Sequence, residues 1–168
     1  MTAEVGTQAP DFNLLDTDGN EFALSSLRGQ KVVVAFFPAV FSGVCDDEMC
    51  TFRDALADYS AINASVVGIT TDGRFANAEF KNKHGINFPI LSDYKQSTIE
   101  DYDVAWPNFA GMDDYTAAHR SVFVDRQWWQ YRLEMAVQRT DRPASFRRSA
   151  NAGQNEQLVN VFEITALT

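Results

Sequence analysis

The sequence predicts an α/β fold: a mixed central sheet flanked by helices, with a β-hairpin near the N-terminus. Three observations carry this. Lys31 to Phe37 (KVVVAFF) is a continuous apolar run of β-branched and aromatic residues, bounded by Arg28-Gly29 and Pro38. That is the pattern of a strand buried on both faces. Ser65 to Thr70 (SVVGIT) is a second run of the same kind. Segments with helical spacing follow each of them, and such alternation implies helices layered on a sheet.

Taken in order, Phe12 to Leu24 alternates loosely around Asp16-Thr17-Asp18-Gly19-Asn20, a turn-rich centre that reads as a hairpin. After the first buried strand, Met49, Phe52, Leu56 and Tyr59 are spaced to line one face of a helix running from about Gly43 to Tyr59. Arg74 to His84 reads as a second helix, ended by Gly85. Phe88 to Leu91 is expected as a short strand, Gln96 to Tyr102 as a short helix, and Ser121 to Val124 (SVFV) as a further strand.

Beyond Tyr131 the character changes. Residues 132 to 168 hold five arginines against four acids, net +1, which leaves −10 of the total of −9 on residues 1 to 131. Residues 1–131 are therefore expected to form the domain. Residues 132–168 are expected to be a C-terminal extension, packed on that domain or on a partner subunit. Within it, LVNVFEIT reads equally as strand or helix.

Composition sets the class. At 168 residues the chain is expected to be one domain with a full core. Hydrophobic residues are 45% and charged residues 22%, a globular balance. The net charge of −9 argues against nucleic acid as a partner. No apolar run approaches the roughly 20 residues of a membrane helix. MTAEVGTQAPDF has neither a basic nor an apolar leader region, so a cytoplasmic protein is expected. Two cysteines close together in that setting suggest catalysis or redox sensing rather than a structural disulfide.

The chemistry lies in FFPAVFSGVC, residues 36 to 45. Pro38 has no N–H and stops the strand ladder. Ser42 falls where a helix N-cap belongs, which puts Cys45 at the third helical position. Free N–H groups and the positive end of the helix dipole there favour a thiolate, the nucleophilic form of cysteine. Gly43 lets backbone and substrate approach closely. A lone cysteine at a helix start could equally be a small buried hydrophobe; the proline, the hydroxyl and the helix start tip the balance to a nucleophile. Glu48 and Arg53, on the same helix, read as solvated charges. His119 is not needed as a base, and Trp128 and Trp129 read as packing or interface residues rather than catalytic ones. His84 and His119 with two cysteines give poor zinc spacing.

Pro38-x-x-x-Ser42-x-x-Cys45 resembles the peroxiredoxin signature: proline, three residues, threonine or serine, two residues, then the peroxidatic cysteine. Ala9-Pro10-Asp11-Phe12, Leu24-x-x-Leu27-Arg28-Gly29, Phe36-Phe37-Pro38 and Cys50-x-Phe52-Arg53-Asp54 resemble that family too, as does His119-Arg120-Ser121-Val122-Phe123-Val124. The similarity runs from about residue 4 to 126. It is nearest to the one-cysteine and Q-type (bacterioferritin-comigratory-protein-like) branches of the alkyl-hydroperoxide-reductase and thiol-specific-antioxidant superfamily.

The resemblance implies a thioredoxin-like fold and reduction of hydroperoxides without a metal or organic cofactor. It implies that Cys45 attacks the peroxide, that Ser42 positions it, that Arg120 donates to thiolate and peroxide, and that Pro38 shields the site from water. Its partners would be a hydroperoxide and an external thiol reductant such as thioredoxin or glutaredoxin, and the protein a monomer or homodimer. A thioredoxin-like thiol–disulfide oxidoreductase is the alternative. That chemistry generally uses C-x-x-C, whereas four residues separate Cys45 from Cys50.

Cys50 is harder to read. Five helical positions place its Cα roughly 8 to 9 Å from that of Cys45, and a disulfide tolerates only about 7 Å. Cys50 is thus either a structural residue or, as the resemblance to Q-type members implies, the resolving cysteine after the helix start unwinds. The family's turn after the late strand is replaced by Asp125-Arg126-Gln127-Trp128-Trp129, and no cysteine follows Cys50.

Overall fold

The structure, a computed structural model, describes residues 9–61, 63–125 and 133–136. Nine strands and four α-helices are described: β1 Asn13–Leu15, β2 Glu21–Ala23, β3 Lys31–Phe36, α1 Gly43–Asp54, α2 Leu56–Ala61, β4 Ala64–Thr70 and α3 Arg74–His84. They continue as β5 Ile90–Ser92, α4 Ser97–Asp101, β6 Ala105–Trp106, β7 Ala117–Ala118, β8 Ser121–Asp125 and β9 Leu133–Ala136.

Seven strands form one sheet in the order β2-β1-β5-β4-β3-β8-β9. Its centre, β5-β4-β3, is parallel, as helical crossovers require. The flanking strands are antiparallel on both sides, so the sheet is mixed. The expected hairpin is β1–β2. Asp16 closes its turn by accepting from the backbone N–H groups of Asp18 (2.9 Å) and Asn20 (2.8 Å), and Gly19 supplies the positive φ of 90°.

The apolar run of β3 is buried on both faces. Val32, Val34 and Phe36 enter one core with Val67, Ile69, Leu91, Ile99, Tyr102 and Phe123. Phe36 meets Tyr102 and Phe123 there at ring distances of 5.0 and 5.7 Å. Each such side chain contributes about 1.5–3 kcal/mol of burial. On the other face, Gly68 packs beneath Phe37, Ile90 and Met49, and a Cβ there would meet them at an ordinary 3.4 to 3.6 Å.

Two expectations need correction, and one strand pair is new. The helix expected from Gly43 to Tyr59 is two helices, broken at Ala55 (φ −88°, ψ 0°), because the apolar spacing continues across a break that it does not encode. The strand expected at Phe88–Leu91 is Ile90–Ser92, starting two residues later, after Pro89, and ending one residue later. The short β6–β7 pair was not foreseen. Beyond residue 131, β9 pairs with β8 at the edge of the main sheet. Trp128, Trp129 and the remainder of the extension, LVNVFEIT included, lie outside the described residues.

Candidate active site

The site forms where β3, β4 and β5 end, the usual place for chemistry in an open α/β sheet. Phe37 makes the last ladder contact, donating to the Ile69 carbonyl at 3.1 Å. Buried Pro38 then ends the ladder. The loop to Ser42 turns through Phe41, held at φ 60°. Asp72 tethers it: Oδ2 accepts from the Val40 N–H at 2.7 Å and from the Thr70 hydroxyl at 3.2 Å. The Asp72 carbonyl accepts from the Ser92 hydroxyl at 2.6 Å. Three strand ends thus fix one loop.

Ser42 occupies the N-cap position of α1 with extended backbone (φ −94°, ψ 122°), and Cys45 is the third helical residue. The hydroxyl does not cap. It lies 2.8 Å from the Cys45 sulfur and 3.2 Å from the Ala39 carbonyl. One proton cannot serve both at once, and a thiolate would take it. Cys45 itself is fully buried, at 0% exposure.

Arg120 comes to the sulfur from the chain just ahead of β8, with Nη2 donating to Sγ at 3.1 Å. Its Nη1 is hydrogen-bonded to the Glu48 carboxylate. Burial works against the guanidinium's charge, but Glu48 and then Cys45 outweigh it and hold Arg120 above its usual pKa. Burial pushes the Glu48 carboxyl above the ordinary carboxylate range, and Arg120 opposes the shift. The expectation that Glu48 is a solvated charge is therefore overturned: it is 4% exposed. The signal was present in the spacing. Cys45, Glu48, Met49 and Phe52 are the buried positions of α1, at i, i+3, i+4 and i+7. Arg53 is not simply solvated either, since it pairs with Asp54 and donates to the His84 carbonyl.

Ser42 and Arg120 both contact the Cys45 sulfur, with Pro38 at the strand end before them. Cys50 stands apart. It is half-buried, both thiols are free, and Nδ1 of His84 lies 3.8 Å from its sulfur. His119 is stacked on Trp106 at 4.8 Å.

The profile of the AhpC/TSA family matches residues 5–127. The chain belongs to the AhpC/TSA family. A Mycobacterium tuberculosis relative described as a peroxiredoxin is 42% identical over 110 residues, covering 66% of this chain and 68% of its own. Peroxiredoxin Bcp of Bacillus subtilis is 32% identical over 127 residues, covering 74% and 79%. The solved structure of peroxidoxin BcpB from Mycobacterium tuberculosis superposes with a TM-score of 0.69 at 28% identity, covering 77% of this chain and 81% of that one. The fold is accordingly the thioredoxin-like one of the peroxiredoxins, and thiol-dependent peroxidase activity comes with the family.

Proposed function

We propose that Cys45 is the peroxidatic cysteine and that Ser42, Arg120 and Pro38 complete its site. The observation that carries this is the convergence of two donors, the Ser42 hydroxyl and the Arg120 guanidinium, on one buried sulfur. Hydrogen bonds from a hydroxyl and a cation favour the thiolate over the thiol. The thiolate attacks the terminal oxygen of a hydroperoxide. A sulfur–oxygen bond forms, the oxygen–oxygen bond breaks, and the leaving oxygen takes a proton to become water or an alcohol. Ser42 and Arg120 already flank the sulfur, so the same donors stabilise the charge that develops on the leaving oxygen. Buried Pro38 closes the strand end beside them to water.

Cys50 then resolves the sulfenic acid on Cys45. Both residues lie on α1, so the helix start must open for the sulfurs to meet. Two features lower the cost of opening. Gly43 is the first helical residue, and the break at Ala55 leaves α1 only twelve residues long. An external dithiol of the thioredoxin type reduces the resulting disulfide. Thiols that cycle in this way fit the reducing cytoplasm.

Arg120 on the sulfur and the four-residue gap between the cysteines both weigh against a thioredoxin-like oxidoreductase. The deciding test is peroxide consumption with thioredoxin or dithiothreitol as reductant, run beside insulin reduction. Peroxide should be consumed while insulin is reduced slowly. Undiminished peroxide consumption by Cys45→Ser would overturn the assignment.

A further inference from the structure

His84 joins Cys50 to a carboxylate. Its Nδ1 lies 3.8 Å from the Cys50 sulfur, and its Nε2 lies 3.4 Å from Oδ2 of Asp46, one helical turn before Cys50 on α1. Thiol, imidazole and carboxylate thus stand in a row that leaves α1, crosses the end of α3 and returns. The ring is clamped by Phe80 at 4.8 Å and Phe41 at 6.5 Å, and Arg53 holds the His84 carbonyl. At 3.4 Å the imidazole and Asp46 are in ion-pair range without hydrogen-bond alignment. Nε2 and Asp46 Oδ1 are buried, and neither has a hydrogen-bond partner among the described residues.

We propose that His84 is the general base that ionises Cys50 for resolution, with Asp46 as its positioning residue. This rests on the reading of Cys50 as the resolving thiol. Nδ1 accepts a proton only in the tautomer that carries hydrogen on Nε2, and the negative charge of Asp46 at 3.4 Å from Nε2 favours that tautomer. The Cys50 proton passes to Nδ1 while α1 is closed, the state in which the two groups are in contact. On opening, the Cys50 thiolate attacks the sulfenic sulfur of Cys45. A sulfur–sulfur bond forms, the sulfur–oxygen bond breaks, and hydroxide leaves and takes a proton to become water. The Cys45 sulfur is reduced and the Cys50 sulfur oxidised by the same amount, so no further oxidant is needed.

The charged surroundings agree with that role. Facing His84 from α1 are Asp46, Cys50 and Arg53. Lys83, its neighbour on α3, holds its Nζ 5.2 Å from the Phe41 ring centre. The Arg53 guanidinium is held charged chiefly by Asp54, and it also interacts favourably with a Cys50 thiolate.

An unassisted thiol with a pKa of about 8.5 is only about 3% ionised at pH 7, so an effective base can speed attack by up to roughly 30-fold there. By pH 9 most of that advantage is gone. The test is one equivalent of hydrogen peroxide added to the reduced protein, acid quench at timed intervals, and mass spectrometry of the Cys45–Cys50 disulfide between about pH 6 and 9. His84→Gln should form the disulfide roughly 10- to 30-fold more slowly than wild type at pH 7 and at nearly the same rate at pH 9. Asp46→Asn, which keeps the imidazole, should show a smaller loss that closes in the same way. Equal rates at pH 7 would overturn the base role. So would a deficit that persists undiminished at pH 9, since that marks a structural effect. If wild type itself stops at the Cys45 sulfenic acid, the reading of Cys50 as resolving thiol fails first, and the base role with it.

Discussion

Glu48 holds Arg120 by one amino group while the other donates to the Cys45 sulfur at 3.1 Å. A guanidinium has donors in a rigid fork, so fixing one arm aims the other. Arg120→Met removes a charge-assisted hydrogen bond from the sulfur. It should slow Cys45 oxidation, read by stopped flow, by about 10²–10³. Wild-type oxidation rates in this variant would remove Arg120 from the site.

Glu48 separates aim from charge. Glu48→Ala strands a buried guanidinium, and breaking a buried pair in this way costs about 3–5 kcal/mol. Urea unfolding should show that loss. Glu48→Gln keeps an oxygen that can accept from Arg120 and should lose less stability. Equal stability of both variants would mean that the buried pair has little weight.

Asp72 should matter for rate more than its distance from the sulfur suggests. It ties the Val40 N–H at 2.7 Å, two residues before Ser42. Asp72→Ala leaves that donor without its acceptor, at about 1–3 kcal/mol. It should also slow peroxide reduction by loosening the loop that carries Ser42. Stopped-flow oxidation beside urea melts checks both parts.

Tyr59 gives a pH signature on the alkaline side. Burial, aided by the Asp58 charge, pushes its hydroxyl up to about 12 from 10.0. The folded value is the higher one, so the contribution is complete below pH 10 and is lost as pH rises through about 12. Wild-type stability should therefore fall relative to Tyr59→Phe across that window, in urea melts at successive pH values. Parallel curves would contradict the shift.

Much of this was legible because strong local signals and the fold agree. KVVVAFF and SVVGIT became adjacent parallel strands in the register of Val33 opposite Val66, and α3 runs from Arg74 to His84 as read. Ser42 and Cys45 stand at the expected helix positions. What escaped reading depends on tertiary contact. Apolar spacing carries through Ala55, so the break in the first helix left no mark. Glu48 looks polar in sequence, and only Arg120, 72 residues away, makes its burial tolerable. His84 closes a helix by every local criterion, and nothing nearby in the chain announces that Cys50 lies against it.

In the proposed cycle Cys45 takes the peroxide oxygen and Cys50 resolves it. Peptide mass mapping after one equivalent of hydrogen peroxide, in wild type and Cys50→Ser with a sulfenic-acid trap present, tests it most directly. Wild type should yield the Cys45–Cys50 disulfide, and Cys50→Ser a trapped sulfenic acid on Cys45. First oxidation on Cys50, or a wild-type Cys45 that remains alkylatable after peroxide is consumed, would contradict the account.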